Sequence, residues 1–161
     1  MARQIWFLRH GDAEPHGSRP DFDRELTRRG AEQAVAAGKA MAVLGAEFEL
    51  SLSSPRVRAR QTAELAHSSL EGELTMHAPL GDAFDSREAL TLAAALEPDG
   101  RMLLVGHEPT FSQTVFDLTG ARVDFKKGGI AVVRINPTGA ELLVLMRPRE
   151  LAAIADSSAG V

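Results

Sequence analysis

The feature that most limits how this chain can fold is a series of apolar runs too short for helices, separated by stretches whose apolar residues recur at helical spacing. Residues 3–8 (RQIWFL) read as a buried strand, followed by a long polar loop containing Pro and Gly that lasts to residue 25. Thr27 is placed to cap a helix over 28–44, in which Ala31, Ala34, Val35, Gly38, Met41, Ala42 and Leu44 mark one face. Residues 50–53 form a second strand. Ser54-Pro55 then reads as a helix start, with Ser as the cap and Pro at the first helical position, for a helix running to about residue 67. Residues 73–80 are a weaker strand or extended connection, and Asp85 caps a helix that carries Ala89, Leu92, Ala93 and Leu96 on one side. The run 102–105 is continuous rather than alternating, as expected of a strand covered on both faces. A helix over 109–118 stops at Gly120, and 130–135 with 140–146 reads as a hairpin around Asn136-Pro137-Thr138-Gly139.

Strands alternating with helices predict an α/β fold: a three-layer α/β/α sandwich around a mainly parallel sheet with an antiparallel closing hairpin. At 161 residues one domain over 1–161 is expected, burying about two-thirds of the extended-chain surface, with residues 148–161 as a peripheral tail whose short helix frays. Eighteen Lys and Arg against 22 Asp and Glu give a formal charge of −4, so no overall basic field recommends nucleic acid or an anionic membrane as partner. Any anion site must be local. The absence of cysteine excludes disulfides, a thiolate nucleophile and sulfur-ligated zinc. The apolar run at residues 5–8 is too short for a signal sequence or membrane span, so a cytoplasmic protein is expected.

In sheets of this kind ligands bind outside the carboxyl ends of the strands. Three segments fall there: Arg9-His10-Gly11, Ser54-Pro55-Arg56-Val57-Arg58 and Gly106-His107-Glu108. They would bring two histidines together with two or three arginines. Arginine holds phosphate with a planar fork of permanently charged donors, and neutral imidazole attacks phosphorus when nearby cations keep it unprotonated. The free amides of the helix after Pro109 would add a further anion-binding element. Other polar residues have plainer readings. Arg56 and Arg60 read as surface, His67 as a helix-end histidine, His77 as a strand histidine, Glu108 as a first-turn carboxylate and Lys126-Lys127-Gly128-Gly129 as a solvated approach to the hairpin. Asp12, Glu14 and His16 offer metal-ligating atom types, but no metal is expected.

Leu8-Arg9-His10-Gly11, Ser54-Pro55-x-x-Arg58-Ala59-x-x-Thr62 and Val105-Gly106-His107 together resemble the three motifs of the histidine phosphatase superfamily, the phosphoglycerate-mutase-like proteins, in order and in strand context. The resemblance covers roughly residues 3–147. The small size is similar to the SixA-type phosphohistidine phosphatases. The resemblance implies that His10 is the nucleophile, that Arg9, Arg58 and His107 hold the phosphoryl group, and that no cofactor is needed. Larger members carry a carboxylic acid on a later segment as proton donor, which would correspond here to Asp82. Only residues 68–84 are available for a lid, so a shallow pocket is expected, suited to a phosphohistidine on a protein or to a small phosphate ester, with inorganic phosphate as product. The alternatives are a small-molecule phosphatase or mutase of the same family, a phosphoprotein-binding module without turnover, and a metal-dependent hydrolase.

Overall fold

The computed structural model describes residues 2–157. Six strands form one sheet in the order β3-β2-β4-β1-β5-β6, where β1 is Arg3–Arg9, β2 Leu50–Ser53, β3 Leu74–Met76, β4 Arg101–Gly106, β5 Ile130–Asn136 and β6 Gly139–Met146. The first four run parallel, β5 is antiparallel to β1, and β6 returns as the outer arm of the hairpin. The helices are α1 Arg28–Val43, α2 Val57–His67, α3 Pro79–Asp82, α4 Ser86–Ala94, α5 Thr110–Thr119 and α6 Pro148–Ser157.

The central strands are apolar throughout because they feed two cores. Ile5, Phe7, Met102, Leu104, Ala131 and Val133 point to one face, where they pack with Ala89 and Ala93 of α4 and Phe111 and Val115 of α5. Trp6, Leu8, Leu103, Val105, Ile130 and Val132 point to the other face, against α1, α2 and Leu151 of α6. Alternation is present in the structure but invisible in the sequence, because both faces are buried. Burial of each large side chain contributes about 1.5–3 kcal/mol. Gly38 lets α1 and α2 meet at backbone distance, since a Cβ there would lie 2.1 Å from the Ala66 carbonyl oxygen.

Two expected caps are in place: the Thr27 side chain accepts from Gly30 N–H, and that of Asp85 from Glu88 N–H. Three expectations need correction. Helix α2 begins at Val57 rather than at Pro55, and Ser54 Oγ accepts the Arg56 amide ahead of the helix instead of capping it. The segment 73–80 divides into the three-residue β3 and the start of α3, because Pro79 sits at the first turn of α3 and the chain bends there. The expected fraying tail is the ordered helix α6, with Leu151 fully buried against the α1/α2 face; residues 158–161 lie outside the described residues. Among the described residues no helix is long and apolar enough to cross a membrane.

Candidate active site

Parallel pairing of β1 with β4 puts Arg9 opposite Gly106, so the next residues, His10 and His107, leave the sheet at the same level. Neighbouring strands lie about 4.8 Å apart, and the two imidazole centroids are 5.3 Å apart. On the far side of β4, Ser53 pairs with Val105, which brings Ser54 against His107. The loop after β1 is pressed onto the start of α1: a Cβ on Gly11 would lie 2.6 Å from the Gly30 carbonyl oxygen, so neither glycine can be replaced without moving that contact. Thr62 ties the same loop to α2, accepting from Gly11 N–H at 3.1 Å and donating to the Arg58 carbonyl at 2.7 Å.

These contacts assemble one pocket of about 150 Å³, lined among others by Arg9, His10, Arg24, Arg58, His107 and Glu108. Both histidines are buried, at 7% and 8% exposure. His10 Nδ1 lies 2.7 Å from the Gly11 carbonyl oxygen, which can only accept, so the ring proton is on Nδ1 and Nε2 keeps its lone pair. His107 Nε2 lies 2.8 Å from Ser54 Oγ. Ser54 is fully buried and its Oγ has no other acceptor among the described residues, so its hydroxyl hydrogen is donated to Nε2 and the His107 proton sits on Nδ1.

Four buried side-chain nitrogens among the described residues lack a partner, and three of them belong to this pocket: Arg9 Nε, Arg58 Nε and His107 Nδ1. Unpaired buried polar nitrogens are rare, and three on residues lining one small cavity leave hydrogen-bonding capacity there that the protein does not use. The fourth, His67 Nε2, is at the end of α2.

Burial lowers the pKa of His10 to about 3, opposed by the bond to Gly11 O and assisted by the fields of His107, Arg58 and Arg9. His107 is likewise lowered to about 3, first by burial and then by Arg58 and Arg56. Both rings are therefore neutral at physiological pH. An unfolded histidine titrates near 6.5, so between 6.5 and about 3 the unfolded chain binds protons that the folded chain does not, and stability falls as pH falls. At pH 5 each histidine costs about 2 kcal/mol relative to pH 7. His107→Asn is expected to show a shallower loss in denaturant titrations at pH 7 and pH 5; a slope equal to wild type would mean that His107 is not held neutral.

The structure brings Arg9, His10, Arg58 and His107 together, but not Asp82. Asp82 ends α3, is exposed, and does not line the pocket; the short helix turns it away, leaving only the preceding carbonyl, Gly81 O, to accept Arg56 Nε at 2.8 Å. The carboxylate that does line the pocket is Glu108, whose Oε1 accepts Ser112 N–H at 2.7 Å. That bond corrects the expectation of free helix amides at the site: the amides of Phe111, Ser112 and Gln113 already have partners.

Other pocket features depend on folding that short-range pattern does not reveal. Residues 13–26, rather than 68–84, wall the site, contributing His16 and the buried Arg24. Arg56 is not simple surface: it bonds Gly81 O and pairs with Asp21 at 2.8 Å. Arg58 donates to the Asp21 carbonyl at 2.8 Å and meets its carboxylate at 3.3 Å. Partial burial tends to raise the Asp21 pKa, but bonding to Arg24 and the fields of Arg58 and Arg56 hold it below the usual carboxylate value. The surface reading of Arg60 holds, since it pairs with Glu64 along the helix. His77 pairs with Glu88. Asp12, Glu14 and His16 face Thr27, Arg19 and Asp21 respectively, and among the described residues no group of three or more His, Asp or Glu is arranged to hold a metal ion.

Fold and site together define an α/β protein with a cationic, two-histidine pocket at the carboxyl edge of its sheet. Residues 5–97 match the histidine phosphatase superfamily (branch 1), and the chain belongs to that family. An uncharacterised protein of Picosynechococcus sp. is 33% identical, over 92% of this chain and 98% of that protein. The protein histidine phosphatase SixA, solved with tungstate, is similar at 26% identity and a TM-score of 0.81, over 92% of this chain and 99% of that one. A putative phosphohistidine phosphatase SixA from Agrobacterium tumefaciens is similar at 27% identity and a TM-score of 0.77, over 90% and 97%. Family membership supports phosphatase activity.

Proposed function

We propose that the protein is a cofactor-independent phosphohistidine phosphatase that works through a phosphorylated His10. The observation that carries this reading is the set of three unpartnered buried donors, Arg9 Nε, Arg58 Nε and His107 Nδ1, around a neutral imidazole. His10 Nε2 attacks phosphorus while Arg9, Arg58 and His107 Nδ1–H take up the charge on the equatorial oxygens. The P–N bond of the substrate breaks, and its imidazole, already protonated on the other nitrogen, leaves neutral. Phosphorylated His10 is cationic, and its Nδ1–H remains bonded to Gly11 O.

In the second step water attacks phosphorus, the proton passes to Glu108, and the P–N bond electrons return to Nε2 as inorganic phosphate departs. Glu108 takes this role in place of Asp82 because it lines the pocket. A phosphoramidate suits the site, since its leaving group needs no separate acid. SixA, the similar protein solved with tungstate, accommodates a tetrahedral oxyanion.

The test is a substrate panel of phosphohistidine protein, sugar phosphates and an aryl phosphate, assayed with and without EDTA. The expected result is the highest kcat/KM on phosphohistidine protein, undiminished by the chelator. Higher kcat/KM on sugar phosphates would make the protein a small-molecule phosphatase instead, and loss of activity in EDTA would end the cofactor-independent reading.

A further inference from the structure

A second cleft, of about 430 Å³, borders the phosphoryl pocket and shares Arg9 and Lys127 with it. Its cations are Arg9, Arg29, Lys126, Lys127, Arg147 and Arg149, with Asp12 as its only lining carboxylate. Some of this charge is compensated. Lys127 meets Asp12 at 3.5 Å, Lys126 meets Asp124 at 3.0 Å, and Arg147 and Arg149 share Glu150. Setting these three carboxylates against six cations leaves an excess of three positive charges, on a chain whose formal charge is −4. Arg29 has no ion-pair partner among the described residues.

The cleft is coupled to the site by backbone. Gly128 N–H donates to both the Arg9 and His10 carbonyls, which pins the Lys126-Lys127 turn to the end of β1. The inner pocket has room for a phosphoryl group and little of its carrier, so the carrier must lie on the bordering surface. A flanking cleft with excess positive charge favours a carrier with negative charge next to the phosphorylated side chain.

We propose that this cleft is a specificity subsite for carboxylates flanking the phosphohistidine of a protein substrate, an inference that rests on the phosphohistidine reading above. The geometry assigns Arg29 and Arg149, both exposed, as the contacts that distinguish an acidic flank from a neutral one.

The test uses two phosphohistidine peptides that differ only in having Glu or Gln at the flanking positions. They are assayed with wild type, with the double variant Arg29→Gln/Arg149→Gln, and with Lys39→Gln/Arg87→Gln, which removes equal charge elsewhere. Wild type should favour the Glu peptide by about ten-fold in kcat/KM at low salt, and the preference should shrink as salt shortens the screening length to about 3 Å at 1 M. The cleft variant should bring the two peptides within about two-fold of each other, while the distant variant keeps the preference. Equal rates on both peptides in wild type, or a preference that survives in the cleft variant, overturns the subsite and leaves the phosphatase reading standing. Hydrolysis of an aryl phosphate with neither peptide cleaved overturns the phosphohistidine reading, and the peptide-borne occupant with it.

Discussion

Replacing His10 by alanine is expected to lower turnover by at least about 10⁴-fold and to abolish the acid-labile, base-stable phosphoryl adduct. The size of the effect follows from how the two imidazoles are held. His10 has its proton fixed on Nδ1 by Gly11 O, so Nε2 is available to attack. His107, 5.3 Å away, cannot substitute, because its Nε2 accepts the Ser54 hydroxyl and its Nδ1 carries the proton. The alanine variant therefore keeps the oxyanion donors and loses the nucleophile. It should still bind vanadate, which separates loss of chemistry from loss of folding. Turnover within ten-fold of wild type would mean that no covalent step on His10 exists.

The central strands were readable in the sequence, because a continuous apolar run such as 102–105 is stable only between two covering layers, but their order in the sheet was not. The convergence of Arg9, His10 and His107 was readable as well, since β1 and β4 carry Arg9-His10 and Gly106-His107 directly out of the sheet. Less was visible where position depends on folding at a distance. Nothing periodic marks residues 13–26 as the wall of the pocket; Arg24 is buried because its guanidinium reaches the Glu14 carbonyl and Asp21. Arg56 looks like surface by helical spacing, but it precedes α2, and its side chain is drawn to Gly81 O. The placing of Asp82 outside the pocket has the same reason. Which way a four-residue helix turns its last side chain is set by packing of Leu80 and by Pro79, not by motif spacing. Glu108 was read from the sequence only as a helix-start carboxylate; its place next to a strand-end histidine is the signal that could have put it at the pocket.

Arg58→Ala should lower kcat/KM by about 10²–10³-fold and weaken phosphate and vanadate binding in parallel. Arg58 is 7% exposed and is fixed on one side by the Asp21 carbonyl and carboxylate, which leaves Nε as a donor with no partner among the described residues. Removing it deletes a charged donor held in place before the substrate arrives. Fold should be little affected, because Asp21 keeps Arg24 at 3.0 Å and Arg56 at 2.8 Å. Lysine should recover only a small part of the loss. Its point charge would restore some attraction for the dianion, but all its donors sit on one nitrogen at the end of a flexible stem and cannot span Asp21 and the phosphoryl oxygens from separate, fixed positions as a planar fork does. Arg60→Ala, two residues along the same helix and paired only with Glu64 at the surface, is the matched control and should change kcat/KM by less than about two-fold. If Arg58→Ala and Arg60→Ala lowered activity equally, the effect would be one of general surface charge. If Arg58→Lys matched wild type, charge without fork geometry would be enough, and the unpaired Nε of Arg58 would have no part in holding the transferred group.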